Sequence, residues 1–222
     1  MILNINKPAG VTSHDVVNQV RKITGEKRVG HAGTLDPFAT GVLVVAVGRE
    51  DTKNLGPINE NSEKEYEALL ELGKTSSTGD PDGTIQETLD PEKVSAITRV
   101  QIEHVLQTYT GNIIQTTPAF SAVRVRGTRA YKLANKGVQI AMPPRHVTIH
   151  ELELLEFKPP FARLRVVCSS GTYIRTLVED IGKALGVGAY TKELKRTRVG
   201  EYKIEDSKTL IPTPLLLARV LF

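Results

Sequence analysis

The stretch Gly30–Leu43, GHAGTLDPFATGVL, joins two contrasting halves. In the first half an aspartate stands before proline among glycines, which is typical of a tight turn. The second half leads into an apolar run, Val42–Val47, which predicts a buried β-strand. The acid between them, Asp36, has two interpretations. The first is a cap for a short helix that begins at Pro37. The second is a carboxylate that takes part in a reaction, because it lies close to His31 and between glycines, which let a ligand approach the backbone.

The composition of the whole chain is that of an ordinary soluble globular protein. Its 222 residues suffice for one large domain or two small ones. We expect no signal peptide at its start, and no apolar stretch approaches the ~18 residues of a membrane span. Because Cys168 is the one cysteine, an intrachain disulfide is not possible. We interpret Cys168 as a small core residue at the end of a predicted strand. These features predict a cytoplasmic protein.

Positive charge is concentrated in the second half of the chain. The net charge is only +4, but residues 116–222 carry eighteen basic and nine acidic groups. No acid lies between Glu103 and Glu151, and a second basic cluster, TKELKRTRVG, follows at 191–200. A solvated surface accounts for any one such cluster. Two of them favour a polyanion, and hence nucleic acid, as the partner. The basic residues of the acid-free segment are Arg124, Arg126, Arg129, Lys132, Lys136 and Arg145.

Hydrophobic periodicity predicts a mixture of helices and strands. Residues 13–24 predict a helix that Ser13 or Asp15 caps and Gly25 ends. Residues 64–73 fit either a helix or a strand, and the turn cluster that follows favours a strand. The other predicted elements are one or two helices within 90–111, antiparallel strands at 146–157 and 161–171, and a helix at 172–186. Turns rather than βαβ crossovers join the strands, so we expect an α+β (mixed) fold around a largely antiparallel sheet.

Two patterns that resemble metal sites have simpler interpretations. The sequence DPDG at 80–83 begins like a calcium loop but lacks the closing acid, so a β-turn is favoured. His146 and His150 fall on a predicted strand, where about 13 Å separates them at ~3.3 Å per residue, too far for one ion. Phosphate-cradle motifs are absent from the sequence. We therefore expect neither a metal nor a cofactor.

Arg175 occupies an unfavourable position in the predicted helix at 172–186. A cation in the first turn opposes the helix dipole by roughly 0.3–1 kcal/mol. A long surface arginine tolerates this cost. The alternative is an anionic partner that fixes the side chain there, and Asp36 would be that partner if the two turns meet.

Six sequence blocks, in this order, carry a resemblance to a known family. They are KPAGVTSHDVV, GHAGTLDPFATGVL, KEYEALLELG, TPAFSAVRVRG, RAYKLANKG and CSSGTYIRTLVEDIG. They resemble the TruB family of tRNA pseudouridine synthases over nearly the whole chain. The resemblance implies the pseudouridine synthase fold, a central sheet flanked by helices, with an inserted thumb at about 118–146 that grips RNA. It also implies one catalytic domain at 1–210 and a short tail, 211–222, in place of the RNA-binding PUA domain of many members.

The resemblance further implies catalytic roles for three residues. Asp36 matches the catalytic aspartate, which acts either as a nucleophile on the ribose or as a base at C2′. Tyr66 matches the tyrosine that stacks on the target base. Arg175 matches the arginine that pairs with the catalytic acid.

Substrate contacts are implied for a second set of residues. His31 matches a histidine that contacts the RNA loop, Tyr173 an active-site neighbour, and Leu194 an apolar residue beside the flipped base. The thumb contributes Arg124, Arg126 and Arg129. Phe120 stands where the family often has tyrosine, so a hydroxyl contact is not expected there.

The activity implied is isomerisation of uridine 55 in the T loop of tRNA, without cofactor or metal. The expected partner is the T arm of tRNA, and we expect a monomer with no obligatory protein partner and no membrane association. Two alternatives remain open: the catalytic subunit of a guide-RNA-directed synthase, and a non-catalytic RNA-binding or RNA-folding protein. The second alternative explains the basic segment but not Asp36, Tyr66 and Arg175 together.

Overall fold

The structure is a computed structural model that describes residues 1–87, 91–125, 127–138 and 140–210. The strands are β1 Ile2–Lys7, β2 Val29–Ala32, β3 Thr40–Val47, β4 Lys64–Leu72, β5 Lys74–Ser76, β6 Ile85–Glu87, β7 Gly111–Thr116, β8 Arg124–Val125, β9 Thr128–Arg129, β10 Pro144–Lys158, β11 Phe161–Cys168, β12 Ala189–Val199, β13 Tyr202–Lys203 and β14 Lys208–Thr209. The α-helices are α1 Ser13–Thr24, α2 Arg49–Lys53, α3 Leu55–Asn61, α4 Pro91–Ser95, α5 Arg99–Thr108, α6 Ala130–Ala134 and α7 Ile174–Ala184, and a 3-10 helix spans Ile204–Asp206.

The chain divides into two compact units. The first unit comprises Met1–Glu67 and the described residues from Leu194 onward, and the second comprises Ala68–Glu193. The chain passes from one unit to the other within β4 and within β12. The predicted tail, 211–222, lies outside the described residues.

In the first unit the strand order is β14-β1-β3-β12, with β2 also paired to β3 and β13 to β12. Strands β1 and β2 run antiparallel to β3, whereas β12 runs parallel to it. The valines of α1, Val16, Val17 and Val20, pack with Ile5 and Leu43 of the sheet in one core cluster. This packing confirms both the buried strand and the amphipathic helix that the periodicity predicts.

The N-terminus of α1 differs from the prediction. Thr12 is the cap: its hydroxyl accepts the N–H of Asp15 at 3.1 Å, and the Asp15 carboxylate accepts the N–H of Thr12 at 2.9 Å. Asp15 is therefore the third helical residue of a capping box rather than the cap itself. Ser13 is not the cap either, because its hydroxyl is bonded to Leu35. Gly25 ends the helix as predicted, with φ of 70°.

In the second unit the strand order is β4-β11-β10-β7. Strand β10 is antiparallel to both β11 and β7, and β5 and β6 form a separate hairpin. The ambiguous segment at 64–73 is a strand, as favoured, and the segment at 90–111 contains two helices. His146 and His150 both lie on β10, and Cys168 is buried at the end of β11. The predicted mixed fold with largely antiparallel pairing is confirmed.

Residues 117–143, called the excursion below, connect the neighbouring antiparallel strands β7 and β10. Pro144 pairs with Thr116, and both the N–H and the hydroxyl of Thr117 donate to the carbonyl of Pro143, the hydroxyl at 2.9 Å. The excursion contains the β8–β9 hairpin and α6. It coincides with the predicted thumb, except that residues 144–146 belong to β10. In the described part of the chain, no helix is both long and apolar enough to cross a membrane.

Candidate active site

Asp36 lies in a loop that connects β2 to β3. The described residues 33–39 contain no helix. The carbonyl of Asp36 instead accepts the N–H of Ala39 at 3.1 Å, which closes a turn. The interpretation of Asp36 as a helix cap is therefore wrong, because the chain enters β3 before a helix can form. The side chain of Asp36 is half-buried.

Two buried polar side chains hold the backbone on either side of Asp36. The hydroxyl of Ser13 donates to the carbonyl of Leu35 at 3.0 Å and accepts the Leu35 N–H at 2.9 Å. The ammonium group of Lys7, whose residue is 0% exposed, donates to the carbonyl of Pro37 at 3.1 Å. The residues before and after Asp36 are thus both anchored, which restricts where its carboxylate can lie.

Arg196 holds the start of the same loop from strand β12. Its Nη2 donates to the carbonyl of Gly33 at 3.1 Å, and its Nε donates to the carbonyl of Val42 at 2.8 Å. The close approach of the strands requires glycine at position 41, because a Cβ there would lie 2.2 Å from the carbonyl oxygen of Arg196. Gly41 also has a φ of 103°, which favours glycine.

The charges around the loop interact. Burial lowers the pKa of Lys7 from 10.5 to about 8, although the negative charge of Asp36 opposes this shift, and the nearby charge of Arg196 adds to it. The attraction between Lys7 and Asp36 is mutual, so a charged Lys7 favours an ionised carboxylate at Asp36. The sequence patterns did not single out Lys7, and they placed Arg196 only in a basic cluster. The signal for Lys7 is that it continues the alternation of Leu3 and Ile5 on β1.

Two of the four cations in the basic cluster at 191–200 pair with glutamates of the protein. Lys192 contacts Glu71 at 2.6 Å in the second unit, and Arg198 lies 3.7 Å from Glu65 in the first unit. Arg196 is 1% exposed. The expectation that this cluster contacts a polyanion is therefore wrong for Arg196, because a buried guanidinium cannot reach a phosphate.

The first unit also contains three other predicted site residues. Tyr66 on β4 and Leu194 on β12 are both buried, at 8% and 7% exposure. His31, on β2, is half-buried and pairs with Val45 of β3. It lies two residues before Gly33, where the loop that contains Asp36 begins. Their roles in base stacking and RNA contact stay predictions.

Arg175 lies in the first turn of α7, as predicted, and is buried in the second unit. Its Nη1 is 3.2 Å from Oδ2 of Asp80 and donates to the carbonyl of Thr78 at 2.5 Å. Its Nη2 donates to the carbonyl of Phe120 at 2.9 Å. An anionic partner therefore compensates for the position of this cation. The pairing of Arg175 with Asp36 stays a prediction.

The turn at 80–83 orients the carboxylate that contacts Arg175. The N–H of Gly83 donates to the carbonyl of Asp80 at 3.3 Å, and Oδ1 of Asp80 accepts both the hydroxyl of Thr78 and the N–H of Asp82. The favoured β-turn is thus confirmed. Among the described residues, no group of three or more acidic, histidine or cysteine side chains is arranged to hold a metal. The sequence pattern predicts this turn but not the ion pair that it supports.

Tyr173 immediately precedes α7, and its backbone is bonded to the side chain of Gln115. The amide of Gln115 accepts the N–H of Tyr173 at 3.0 Å and donates to its carbonyl at 3.2 Å. No sequence pattern singles out Gln115.

The β8–β9 hairpin places two of the predicted RNA-binding arginines opposite each other. Arg124 pairs with Arg129 in the register of the hairpin, and both are exposed. Directly opposed residues share one face of a two-stranded ribbon, and like charges there repel each other. Such a pair is stabilised by an external anion. Arg126, the third predicted arginine, lies outside the described residues.

Comparison with known proteins identifies the class. The model of the TruB family pseudouridylate synthase N-terminal domain matches residues 21–174, and that of the tRNA pseudouridylate synthase B C-terminal domain matches residues 175–212. The tRNA pseudouridine synthase B of Thermobifida fusca is 46% identical over 94% of this chain and 72% of its own length. That of Desulfotalea psychrophila is 44% identical over 94% of this chain and 85% of its own length.

Solved structures agree with this class. The chain resembles one in the crystal structure of a Cbf5-Nop10-Gar1 complex, with 34% identity and a TM-score of 0.72 over 94% of this chain and 52% of that one. It also resembles a chain of an H/ACA RNP bound to a substrate RNA containing 2'-deoxyuridine, with 32% identity, a TM-score of 0.68 and coverage of 94% and 50%. The chain thus spans about half the length of these two solved chains.

The fold is that of a pseudouridine synthase, as the resemblance implied. The protein belongs to the TruB family of pseudouridylate synthases.

Proposed function

We propose that this chain converts uridine 55 in the T loop of tRNA to pseudouridine. Its relatives named tRNA pseudouridine synthase B support tRNA as the substrate. The observation that carries the proposal is the anchored loop around Asp36. Lys7 and Ser13 fix the backbone on both sides of this carboxylate, and the charge of Lys7 lies close to it. An anchored, ionised carboxylate is what the first step of the reaction requires.

The reaction rearranges one nucleoside without an external oxidant or a group donor. The bond between N1 and C1′ breaks, the uracil rotates, and a bond forms between C5 and C1′. The proton on C5 is then lost, and N1 gains one. Asp36 starts this sequence either by attacking C1′ or by removing the proton from C2′. On the first route the bond from Asp36 to C1′ breaks as C5 bonds to C1′, and on the second route Asp36 returns the proton to C2′. Both routes need the carboxylate in its ionised form.

The target uridine leaves the stacked RNA before Asp36 reaches its ribose. Tyr66 then stacks on the uracil, and Leu194 packs beside it. The apolar surface of these two side chains, which lie in the same unit as Asp36, supports this assignment, since a flipped base needs such a surface in place of its former neighbours. His31 contacts the RNA loop that the flipping opens, and Tyr173 lines the site.

Arg175 contributes positive charge to the site. Its guanidinium is held by Asp80 and by two backbone carbonyls, so its position is defined before substrate binds. In the proposed mechanism this arginine orients and stabilises the carboxylate of Asp36. A preorganised charge of this kind is worth roughly 2.7–4 kcal/mol in a transition state.

The excursion grips the T arm through its arginines. Arg124 and Arg129 are exposed on one hairpin, and Arg126 lies between them in sequence. Contacts from such residues to phosphates position the RNA rather than select a sequence. Folded RNA arms are recognised largely by shape, which suits a chain with no tryptophan and few aromatic residues to stack on.

We further propose that the chain acts as a monomer in the cytoplasm, without a protein partner, and that residues 1–210 form its catalytic domain. A guide-RNA-directed synthase is the second candidate, because the TM-score of 0.72 is with a chain solved together with Nop10 and Gar1. Stand-alone action on tRNA is favoured because this chain is more similar to a relative named tRNA pseudouridine synthase B, with 46% identity, than to that solved chain, with 34% identity.

The test is to incubate the purified chain alone with an unmodified tRNA transcript and to map pseudouridine by position. We expect modification at position 55 and nowhere else in the transcript. Asp36→Asn should abolish it while RNA binding is nearly unchanged, since the substitution removes the reacting group but little volume. Absence of product without added guide RNA would favour the second candidate, and product at the wild-type rate from Asp36→Asn would refute the catalytic assignment.

A further inference from the structure

Gln115 is a buried polar residue at the root of the excursion. It lies on β7, two residues before the excursion begins, and is 1% exposed. Its side-chain amide makes both a donor and an acceptor contact with the backbone of Tyr173. A carboxamide is suited to this arrangement because it carries a carbonyl oxygen and an NH₂ group in one plane.

This contact satisfies the backbone N–H of the residue that begins helix α7. In the described part of the chain, the side chain of Tyr173, the N-cap, makes no capping hydrogen bond. Helix N-termini leave backbone N–H groups without intrahelical partners, and a buried one without a partner is costly. Gln115 accepts the N–H of Tyr173, the N-cap, and so supplies from another strand the contact that the third helical residue supplies in a capping box. The first turn also contains the cation of Arg175, which the helix dipole disfavours.

The strand partner of Gln115 contacts the same loop. Arg145 lies opposite Gln115 in the β7–β10 register, and its Nη1 donates to the carbonyl of Gly171 at 3.3 Å. Two side chains of one cross-strand pair therefore reach the segment from Gly171 to Tyr173. One residue further along, the hydroxyl of Thr172 donates to the carbonyl of Ser169 and closes this loop on itself.

We propose that Gln115 is a positioning residue for the pseudouridine synthase reaction. Its amide fixes the backbone of Tyr173, which sets the direction of the Tyr173 ring and the register at which α7 presents Arg175. This inference rests on the proposed function of those two residues. Gln115 thereby connects the root of the excursion to the start of α7. The two segments also meet directly, because the backbone carbonyl of Phe120, in the excursion, accepts a hydrogen bond from Arg175.

The activity test compares Gln115→Leu and Gln115→Glu with the wild type under single-turnover conditions. Gln115→Leu removes both hydrogen bonds, and we expect the rate constant to fall roughly 10- to 100-fold, as for a displaced catalytic group. The RNA dissociation constant should change by less than about threefold, because phosphate contacts lie elsewhere. Leu164→Val, a core change on β11, is the matched control for lost stability and should leave the rate constant unchanged.

Gln115→Glu separates positioning from a general packing defect. An ionised carboxylate accepts the N–H of Tyr173 but cannot donate to its carbonyl, whereas the protonated acid does both. The rate of this variant relative to the wild type should therefore rise as the pH falls from 8 to 5.5. Unfolding of this variant measured at the same pH values shows whether a loss of folded protein, rather than a loss of positioning, accounts for the change in that ratio. This variant also keeps the proposal testable if Gln115→Leu does not fold.

A second readout does not depend on catalysis. Hydrogen exchange of the amides from Tyr173 through the first turn of α7 should be about tenfold faster in Gln115→Leu than in Leu164→Val, because the opening is local. If the wild type formed no pseudouridine, the proposed function would fail while this exchange result still tested the anchor. Faster exchange without loss of rate would reduce Gln115 to a structural residue and overturn the proposal. Unchanged exchange would overturn it as well.

Discussion

Arg175 and Asp80 form a buried ion pair in which Nη1 of the arginine lies 3.2 Å from Oδ2 of the aspartate, with 5% and 7% of the two side chains exposed. The pair explains how a cation is stable in the first turn of α7, where the helix dipole disfavours it by roughly 0.3–1 kcal/mol. The carboxylate is itself held by Thr78 and by the N–H of Asp82. Arg175 is thus directed by a turn that lies almost a hundred residues away in sequence.

Asp80→Asn should lower turnover by roughly 100-fold, because it removes the counter-charge that Asp80 supplies to the buried guanidinium, which can then shift. RNA affinity should change little. The asparagine still accepts the N–H of Asp82, so the turn is retained. Single-turnover formation of pseudouridine checks this prediction.

Asp82→Asn is the matched control for Asp80→Asn, because it removes the same charge from an exposed position in the same turn. It should behave as the wild type. Equal rates in the two variants would show that the ion pair does not position Arg175.

Replacing both Arg124 and Arg129 by glutamine should weaken tRNA binding and flatten its salt dependence. Each phosphate contact that is lost reduces the slope of log K against log salt by about 0.7–0.9. The choice of uridine should not change, since these contacts do not read the bases. Binding measured at four salt concentrations gives the slope.

The control for that pair is the double variant Lys53→Gln/Arg99→Gln. It removes the same number of cations, but each already pairs with a glutamate on its own helix. We expect an unchanged slope. A slope that fell equally in both double variants would indicate a response to net charge alone rather than contacts in the excursion.

Glu71→Gln should destabilise the protein in a pH-dependent manner. Burial alone would raise the pKa of Glu71, but hydrogen bonds from Lys192, Lys74 and Tyr190 lower it to about 2. Because the folded pKa lies below the unfolded one, the stabilisation is present above about pH 4.5 and is lost as the pH falls towards 2. The wild type should exceed the variant by about 3 kcal/mol at pH 7. Urea unfolding at several pH values measures the difference, which should shrink in acid.

Lys7→Met should reveal a pH dependence of the same sign at the alkaline end, where the wild type again gains stability relative to the variant as the pH rises. Burial lowers the pKa of Lys7 to about 8, against 10.5 for the free side chain. Between these values the unfolded chain binds the extra proton, so the wild type gains stability relative to the variant as the pH rises. Unfolding free energies at pH 7.5, 9 and 10 test this. A difference that stays constant or falls over this range would contradict a low pKa for Lys7.

Local sequence patterns determined much of the fold of this protein. The apolar run at 42–47 predicts a strand buried on both faces, and one of these faces, with Leu43 and Val45, packs against the valines of α1. The turn cluster after β4 decided between a strand and a helix at 64–73. The glycine-flanked Asp36 and the arginine in the first turn of α7 were both recognisable as unusual, since each breaks a local preference.

Tertiary structure alone decided which distant groups hold these residues in place. Thr12 rather than Ser13 caps α1, because the hydroxyl of Ser13 is needed by Leu35 in the Asp36 loop. The basic cluster that contains Arg196 predicts a surface position for this residue. The parallel pairing of β12 with β3 instead buries it.

The partners of the two α7 residues were also beyond the reach of sequence patterns. Asp80 and Arg175 are 95 positions apart, and Gln115 and Tyr173 are 58 positions apart. Periodicity and turn chemistry report on neighbours within a few residues along the chain. A buried ion pair or amide contact instead depends on where two separate elements meet in space, and that is set by the packing of the whole sheet.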